Sequence, residues 1–231
     1  MAFLVTISSN FATNRLKADQ SVKRQITVVS GEWSGVSVLD SEPTTEKILA
    51  AAFKCYARGD YKGTSLSCVA ETADTTKQVV LHHFTSKQSL YCEVLGVVEE
   101  RLSGWLNDAE SSSASTADLL EKFTVRLLDP GRAETLAVAI RAMSDPIVME
   151  LGVHNWPLRP FLDKLRYFTR NEQGLSTETE EKAFALVFGL LGTAGLFLGT
   201  REVLSRLYGE TAVQNIVKAI ERESRHRVAW L

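Results

Sequence analysis

From Pro43 onward, the chain consists of helical segments separated by residues that end helices, and this pattern restricts the fold more than any other feature. Ile48, Leu49, Ala52 and Tyr56 recur at helical spacing until Gly59 interrupts the run. About nine helices are predicted, the last two long, at roughly residues 178–207 and 210–225. No sheet is predicted, apart from a possible short strand at residues 25–29. The sequence therefore predicts an all-α protein. Later interruptions are expected at residues 111–116, 129–131, 145–146, 156–157, 160 and 171–177.

Composition and charge exclude several classes of protein. The 231 residues include 26 Lys and Arg against 28 Asp and Glu, and 45% are hydrophobic, which is ordinary for a globular protein and unlike a disordered or histone-like chain. Cys55, Cys68 and Cys92 lie far apart in sequence and lack zinc-finger spacing. The first residues lack the basic start and long apolar core of a signal peptide. We therefore expect a cytoplasmic protein without a disulfide framework.

Residues 1–42 differ from the rest of the chain. They are polar, rich in Ser, Thr and Gly, and carry a basic bias from Arg15, Lys17, Lys23 and Arg24. This segment is interpreted either as a flexible extension, including one produced by a start site assigned too early, or as a basic arm that contacts DNA phosphates.

Two short helical segments, residues 66–73 and 76–84, have the size of a helix-turn-helix. Thr76 is expected to cap the second segment. The exposed side of that segment suits a DNA groove, because Gln78 can bond to adenine, Val79 can contact a thymine methyl group and Lys77 can bind phosphate. A small core is predicted to fix the angle at which these two segments cross, and it consists of Val69, Ala70, Ala73, Val80 and Phe84.

The basic surface of this region is narrow. Residues 42–95 carry six basic and six acidic side chains, yet residues 75–87 contain no acid. Helix starts are therefore expected to help bind phosphate, including one at Thr85, which forms a capping box with Gln88. His82 and His83 point to different sides of a helix, so one is expected to pack or cap and the other to reach DNA. The predicted DNA contacts are Thr64, Ser65, Thr75, Thr76, Lys77, Gln78, Val79, His82, His83 and Lys87.

The continuous stretch 48–95 resembles the amino-terminal domain of TetR/AcrR-type transcriptional regulators over about 48 positions, without a gap. The family's landmarks include an Ile-Leu start, an Ala pair, a Gly-Tyr turn followed by Thr-Ser, an aliphatic-Ala-Glu triplet, and two histidines before Phe-x-Ser-Lys. This sequence presents them as Ile48, Leu49, Ala51, Ala52, Tyr56, Asp60, Tyr61, Thr64, Ser65, Val69, Ala70, Glu71, Ala73, Asp74, Leu81, His82, His83, Phe84, Ser86, Lys87 and Leu90.

Four positions depart from the family pattern. Asp60 and Asp74 stand where the family usually has Gly, and Asp tolerates a left-handed backbone better than most residues. Asp74 also adds negative charge near the expected DNA. Gln78 replaces another common Gly, and Leu81 replaces a Tyr that often contacts phosphate.

After the polar extension at 1–42, the resemblance implies two domains: a three-helix helix-turn-helix DNA-binding domain at 43–92, and a helical effector-binding and dimerisation domain at 93–231. It also implies a homodimer whose last two long helices pair with their symmetry mates.

One face of a helix carries four glycines, and the opposite side carries four large apolar residues. The glycines are Gly189, Gly192, Gly195 and Gly199, and the apolar residues are Leu186, Leu190, Phe197 and Leu204. Small residues permit close helix approach, so these glycines are predicted at the dimer interface, with packing inside one subunit as the alternative.

The uncharged run 183–200 also meets the minimum length for a membrane span, but its glycines make it a weak one.

An apolar effector pocket is expected between residues 105 and 188, for a small molecule whose identity the sequence does not give. Arg141 and Asp145, four positions apart, are expected to pair across a helical turn. The pocket candidates are Trp105, Phe123, Leu127, Met143, Met149, His154, Trp156, Phe161, Tyr167 and Phe188.

The sequence contains no nucleophile elbow, phosphate loop or His-Glu-x-x-His motif, so no enzyme, metal or cofactor is predicted. The resemblance implies a one-component regulator, a repressor by analogy, that binds a palindromic operator as a homodimer and responds to a small molecule. The ligand is expected to move the helix near residues 87–110 and so change the spacing of the DNA-binding regions. The alternative is a regulator-like dimer whose head no longer binds DNA.

Overall fold

The computed structural model describes residues 43–152, 155–170 and 177–228. Within these ranges the chain forms ten α-helices and one 3-10 helix, with no strand, which confirms the predicted all-α class. The possible strand at 25–29 and the basic arm lie outside the described residues. The helices are α1 (Pro43–Arg58), α2 (Leu66–Thr72), α3 (Lys77–Phe84), α4 (Lys87–Ser111), α5 (Thr116–Leu127), the 3-10 helix Pro130–Arg132, α6 (Ala133–Ser144), α7 (Ile147–Leu151), α8 (Arg159–Arg170), α9 (Thr177–Tyr208) and α10 (Glu210–Val228).

Side-chain caps define where the short helices begin. The Ser65 hydroxyl accepts from the Cys68 amide at the start of α2, and the predicted Thr76 cap accepts from the Val79 amide at the start of α3. The prediction that Thr85 caps the next helix is wrong. Ser86 caps α4 instead, while Thr85 ends α3 with a φ of 53°, because the chain must reverse between the two helices.

We call helices α1, α2, α3 and the start of α4 the head. Val69, Ala70, Ala73, Val80 and Phe84 are all buried, as predicted. They belong to the same hydrophobic core as the buried side chains of α1. A seven-residue and an eight-residue helix have little stability alone, so burial against α1 and α4 holds α2 and α3 in place.

Helix α4 continues from the head into the remaining helices, which we call the body. Its buried side chains, from Leu90 to Leu106, run through one continuous core. In the body, α9 packs against α6, α8 and α10, and α10 packs against α5. The rings of Phe123 on α5 and Phe161 on α8 lie 6.1 Å apart.

Helix α9 has one buried side and one exposed side. Leu186, Leu190 and Phe197 are buried, and Leu204 packs against the core from a partly buried position. The opposite side exposes a row of apolar and small residues at helical spacing, which we call the α9 stripe. It consists of Phe188, Gly192, Leu196, Gly199, Val203 and Leu207.

The glycines of α9 divide between these sides. Gly192 and Gly199 lie on the stripe, and a Cβ atom at either position would have nothing within 4 Å. A Cβ atom on Gly195 would lie 1.9 Å from Cδ1 of Ile140 on α6. The close approach at Gly195 is therefore inside the subunit, which is the alternative considered from the sequence.

By length and apolarity, the segment Ala185–Tyr208 of α9 is long enough to cross a membrane, and 33% of its most apolar window is buried. The buried part is the side that packs on the body core. A core helix that also carries an exposed apolar row meets the same criterion of length and composition.

Two side chains of the body hold the head. Arg141 on α6 donates from Nη1 to the carbonyl oxygen of Ala57, in the last turn of α1. Asp145, just after α6, accepts from the backbone amide of Tyr61. The expected pairing of Arg141 with Asp145 is therefore wrong, because each side chain satisfies a backbone group of the head instead.

Candidate nucleic-acid interface

The exposed side of α3 is the best candidate for a nucleic-acid contact. Lys77, Gln78 and His82 are exposed, and Leu81 is 37% exposed. Val79 is only half-buried and packs against the core, so part of its side chain is committed to the fold. The residues that the sequence placed at a DNA groove thus lie on the solvent side of α3, except for this partial burial.

The two adjacent histidines have separate roles. His83 Nδ1 lies 2.9 Å from the Thr45 hydroxyl in the first turns of α1, so His83 fastens α3 to α1. His82 is exposed, with its ring edge-on to His83 at 5.5 Å between centroids. Of the two alternatives for this pair, His83 is the packed histidine and His82 faces the solvent.

The turn between α2 and α3 is formed by Asp74, at the position where the resembled family has Gly. Asp74 has a φ of 50°, the left-handed conformation that Asp tolerates. Its carboxylate is 97% exposed and lies 3.6 Å from Nζ of Lys47 on α1. The pair partly offsets the negative charge beside α3, but an exposed pair of this kind contributes little energy.

The helix starts differ in what they can offer a phosphate. Ser65, Thr76 and Ser86 are exposed caps. Thr64 is only 5% exposed, and its hydroxyl lies close to Gly59. The structure therefore does not bring Thr64 to the exposed face, although its neighbour Ser65 is there.

Lys87 and Thr75 complete the predicted set. Lys87 Nζ lies 4.5 Å from the Tyr61 ring centroid and donates to the Lys62 carbonyl oxygen at 3.4 Å. This positions the ammonium group at the start of α4, where the helix dipole already favours an anion. Thr75 is half-buried between α2 and α3.

Sequence reasoning missed two residues of α1 that support this surface. Thr45 bonds to His83, and Lys47 pairs with Asp74. No local pattern marks them, because each acts on a residue that lies more than 25 positions away in the sequence.

A cluster of tyrosines lies where the head joins the body. The ring of Tyr91 on α4 lies 4.7 Å from that of Tyr56 and 5.0 Å from that of Tyr61, between centroids. Burial raises the pKa of Tyr56 and Tyr91 well above the usual range of a phenol, and nearby tyrosines add to the effect. The Tyr56 hydroxyl is buried with no hydrogen-bond partner in the described part of the chain.

The predicted effector-pocket residues do not share one environment. Phe123, Leu127 and Phe161 are fully buried in the core, whereas Tyr167 and Phe188 are exposed. Trp105 and Met143 are partly buried against the core. The His154 candidate lies outside the described residues, as does the side chain of Met149.

Two tryptophans of this set have features relevant to ligand binding. Trp156 is half-buried, and its Nε1 atom is buried without a hydrogen-bond partner among the described residues. The Arg132 guanidinium lies 4.6 Å from the Trp105 ring centroid. The described residues form no cluster of three or more His, Cys, Asp or Glu side chains able to hold a metal.

One groove of about 310 Å³ opens on the body, and none of these candidates lines it. Two of its lining residues, Arg201 and Glu210, form an ion pair of 2.6 Å. None of its lining residues was predicted from the sequence. They are Pro130, Ala133, Leu198, Arg201, Glu202, Ser205 and Glu210.

The head matches a known sequence family. Residues 48–94 fit the model of the family described as "Bacterial regulatory proteins, tetR family". This range covers most of α1, all of α2 and α3, and the start of α4. Members of this family are described as bacterial regulatory proteins. They are not enzymes, in agreement with the prediction. No curated protein matches the sequence.

Solved structures share the fold of head and body together. A TetR-like transcriptional regulator from Rhodococcus sp. RHA1 superposes with a TM-score of 0.60 at 18% identity, over 83% of this chain and 98% of that one. Salmonella enterica GusR gives 0.55 at 19% identity, over 83% and 97%. Another Rhodococcus sp. RHA1 transcriptional regulator gives 0.54 at 24% identity, over 78% and 96%. The chain thus has a TetR-family amino-terminal domain and a TetR-like regulator fold.

Proposed function

We propose that this protein, with its TetR-family head on a TetR-like fold, is a cytoplasmic one-component transcriptional regulator. It binds double-stranded operator DNA through α3 and the starts of α2 and α4. The observation that carries the proposal is the exposed, acid-free side of α3, where Lys77, Gln78 and His82 face the solvent together. That the protein represses transcription, and does not activate it, is proposed by analogy with the resembled family.

The side chains of this surface are suited to two kinds of DNA contact, some to phosphates and one to a base. Lys77 and Lys87 supply cationic groups, and the hydroxyls of Ser65 and Thr76 can donate to phosphate while they still accept their cap bonds. Gln78 carries an amide that can bond in a bidentate manner to adenine in the major groove. Phosphate contacts therefore set the position of α3, and Gln78 contributes to sequence preference.

A homodimer follows from the small size of this surface and from the α9 stripe. Few phosphate contacts per head give modest affinity, which two heads on two half-sites would raise. The stripe exposes Leu196 and Val203 beside Gly192 and Gly199, with open space above both glycines. A second copy of α9 can approach closely there and bury these apolar side chains.

The response to an effector requires a path from body to head. Helix α4 provides one path, since its buried residues pass from head to body. The hydrogen bonds that Arg141 donates to the Ala57 carbonyl and that Asp145 accepts from the Tyr61 amide provide another, between the end of α6 and the last turn of α1 with the turn that follows it. A small molecule that binds one arrangement of α4 and α6 more tightly would change the spacing of two heads in a dimer.

The alternative is a ligand-binding dimer whose head no longer binds DNA. Leu81 motivates it, because this exposed leucine stands where the resembled family often has a phosphate-binding tyrosine. Asp74 also motivates it, because its carboxylate remains close to α3 even though it is paired with Lys47.

The deciding experiment measures binding of the full-length protein to the DNA upstream of its own gene and to a scrambled fragment, at two salt concentrations. Tighter, salt-sensitive binding to the upstream fragment supports the regulator. If binding is weak and equal for the two fragments, the next step is to select the fragments that the protein binds from the whole genome. Failure to enrich any fragment there would favour the degenerate head.

Variants then test the docking. Lys77→Ala is expected to weaken binding to all sequences and to lower the salt slope by about one. Gln78→Ala is expected to relax preference at one base position, at a cost of about 1–3 kcal/mol. Lys218→Ala, an exposed lysine on α10, is the matched control and should change nothing. Unchanged affinity for Lys77→Ala would contradict this placement of α3.

A further inference from the structure

Two cysteines that are distant in sequence meet in the head. Cys55 lies in α1 and Cys68 in α2, 13 positions apart, and their sulfur atoms are separated by 3.7 Å. Cys68 is exposed and Cys55 is half-buried. The third cysteine, Cys92, lies in α4 and is not part of this contact. The packing of α2 on α1 therefore creates a dithiol that the spacing of the three cysteines did not suggest.

We propose that Cys55 and Cys68 form a reversible oxidation site, at which a hydroperoxide converts the two thiols into an intramolecular disulfide that links α1 to α2. A disulfide requires the sulfur atoms to lie about 2.05 Å apart. The remaining gap closes by small movements of side chains on two helices that already pack together. Cys92 has no part in the bond.

The surroundings of the two sulfur atoms assign them different roles. The Thr72 hydroxyl donates to the Cys68 carbonyl oxygen at 2.9 Å, and its oxygen lies 3.4 Å from the Cys55 sulfur. This contact holds the Cys55 sulfur toward α2. Burial raises the pKa of the Cys55 thiol, so Cys55 remains a protonated thiol over a wider pH range. The exposed Cys68 is therefore the site of first attack on the oxidant, and Cys55 is the resolving thiol.

The reaction is balanced with one hydroperoxide. The Cys68 thiolate attacks hydrogen peroxide, a sulfur–oxygen bond forms, the oxygen–oxygen bond breaks, and hydroxide leaves, which gives a sulfenic acid. The Cys55 thiolate then attacks that sulfur, the sulfur–sulfur bond forms, and a second hydroxide leaves. The two protons released by the thiols convert the hydroxides to water. Two thiols are oxidised to one disulfide, and the peroxide is reduced by two electrons.

The test is peptide mapping of the reduced, full-length protein after treatment with hydrogen peroxide and alkylation of the remaining thiols. Trypsin places Cys55 in peptide 55–58 and Cys68 in peptide 63–77. The expected result is a cross-linked pair of these peptides, an alkylated Cys92, and loss of the cross-link on addition of dithiothreitol. Alkylation of all three cysteines, or a cross-link to Cys92 or between two chains, would overturn the proposal.

Variants separate the site from general cysteine oxidation. Cys92→Ser should form the same cross-link, whereas Cys68→Ser should form none and keep Cys55 open to alkylation. Cys68 is exposed, so this substitution should leave the fold intact, as checked by circular dichroism. The oxidised wild type should also melt at a higher temperature than its reduced form, since the bond constrains the unfolded chain. Cys68→Ser should show no such difference, and an equal shift in this variant would argue against the site.

Discussion

The carboxylate of Asp145 accepts a hydrogen bond of 3.2 Å from the backbone amide of Tyr61, although 84 residues separate them. Its other oxygen accepts from the Ile147 amide at 3.0 Å. One buried carboxylate thus binds the first amide of α7 and also holds the turn that precedes α2. The head and the body are joined at this point by a side chain as well as by the continuous helix α4.

Replacement of this carboxylate should loosen the head. Asp145→Ala leaves the Tyr61 and Ile147 amides without their acceptor, so we expect a loss of about 1–3 kcal/mol in the free energy of unfolding. Hydrogen exchange at the Tyr61 amide should become faster. Urea denaturation and amide exchange measure the two effects. Asp163→Ala removes an exposed pair with Arg159 and should cost less than about 0.5 kcal/mol; equal costs for the two variants would count against this role of Asp145.

Asp74 lies in the turn between α2 and α3, so on the proposed function its negative charge should lower DNA affinity. Asp74→Asn removes the charge and keeps a residue that tolerates a φ of 50°. We expect DNA binding to become severalfold tighter at low salt, with a smaller gain at high salt because screening weakens the repulsion. Asp74→Gly should show the same gain. A gain for Gly alone would show that backbone conformation, and not charge, limits binding.

Thr85 is a β-branched residue with a φ of 53°, a conformation that its side chain disfavours. Thr85→Gly should therefore raise the free energy of unfolding by about 1 kcal/mol, as measured by thermal or urea denaturation. Thr85→Ser, which lacks the branch methyl but keeps the hydroxyl, is the comparison and should gain less. A loss of stability in Thr85→Gly would mean that the hydroxyl makes a contribution larger than the strain.

The buried Tyr56 hydroxyl predicts an unusual outcome for a core substitution. Because the hydroxyl has no partner among the described residues, Tyr56→Phe should raise stability by about 1 kcal/mol. The pKa of Tyr56 is raised in the folded state by burial, so above pH of about 10 the unfolded chain ionises first and the wild type loses stability. The advantage of Tyr56→Phe should therefore grow with alkaline pH. Urea denaturation at two pH values decides, and a constant difference would contradict the pKa argument.

The α9 stripe predicts the oligomeric state. Leu196 is 71% exposed in one subunit, so Leu196→Glu should leave the helical content unchanged but convert the proposed dimer to a monomer. Size-exclusion chromatography with light scattering measures the mass. Val125→Glu, at an exposed apolar residue of α5 that is not part of the stripe, should remain dimeric. A wild type that is monomeric at micromolar concentration would exclude this interface.

The helices and their order could be read from the sequence because local forces set them. Apolar spacing located the helices, Pro, Gly and Asp-rich breaks located most of their ends, and Thr76 marked the start of α3. The head core was also predictable, since its five residues lie on two adjacent helices. The cap of α4 was misplaced by one residue, because Thr85 and Ser86 offer similar hydroxyls and only the chain reversal after α3 distinguishes them.

The sequence by itself determined the helical elements, the helix-turn-helix and its exposed polar side, because each depends on residues within a few turns of one another. The tertiary structure alone decided that His83 bonds to Thr45 while His82 faces the solvent. It also brought Cys55 to Cys68 and placed Gly195 against α6. These contacts depend on how one helix crosses another, and sequence periodicity records which side of a helix is apolar but not which residue it will meet.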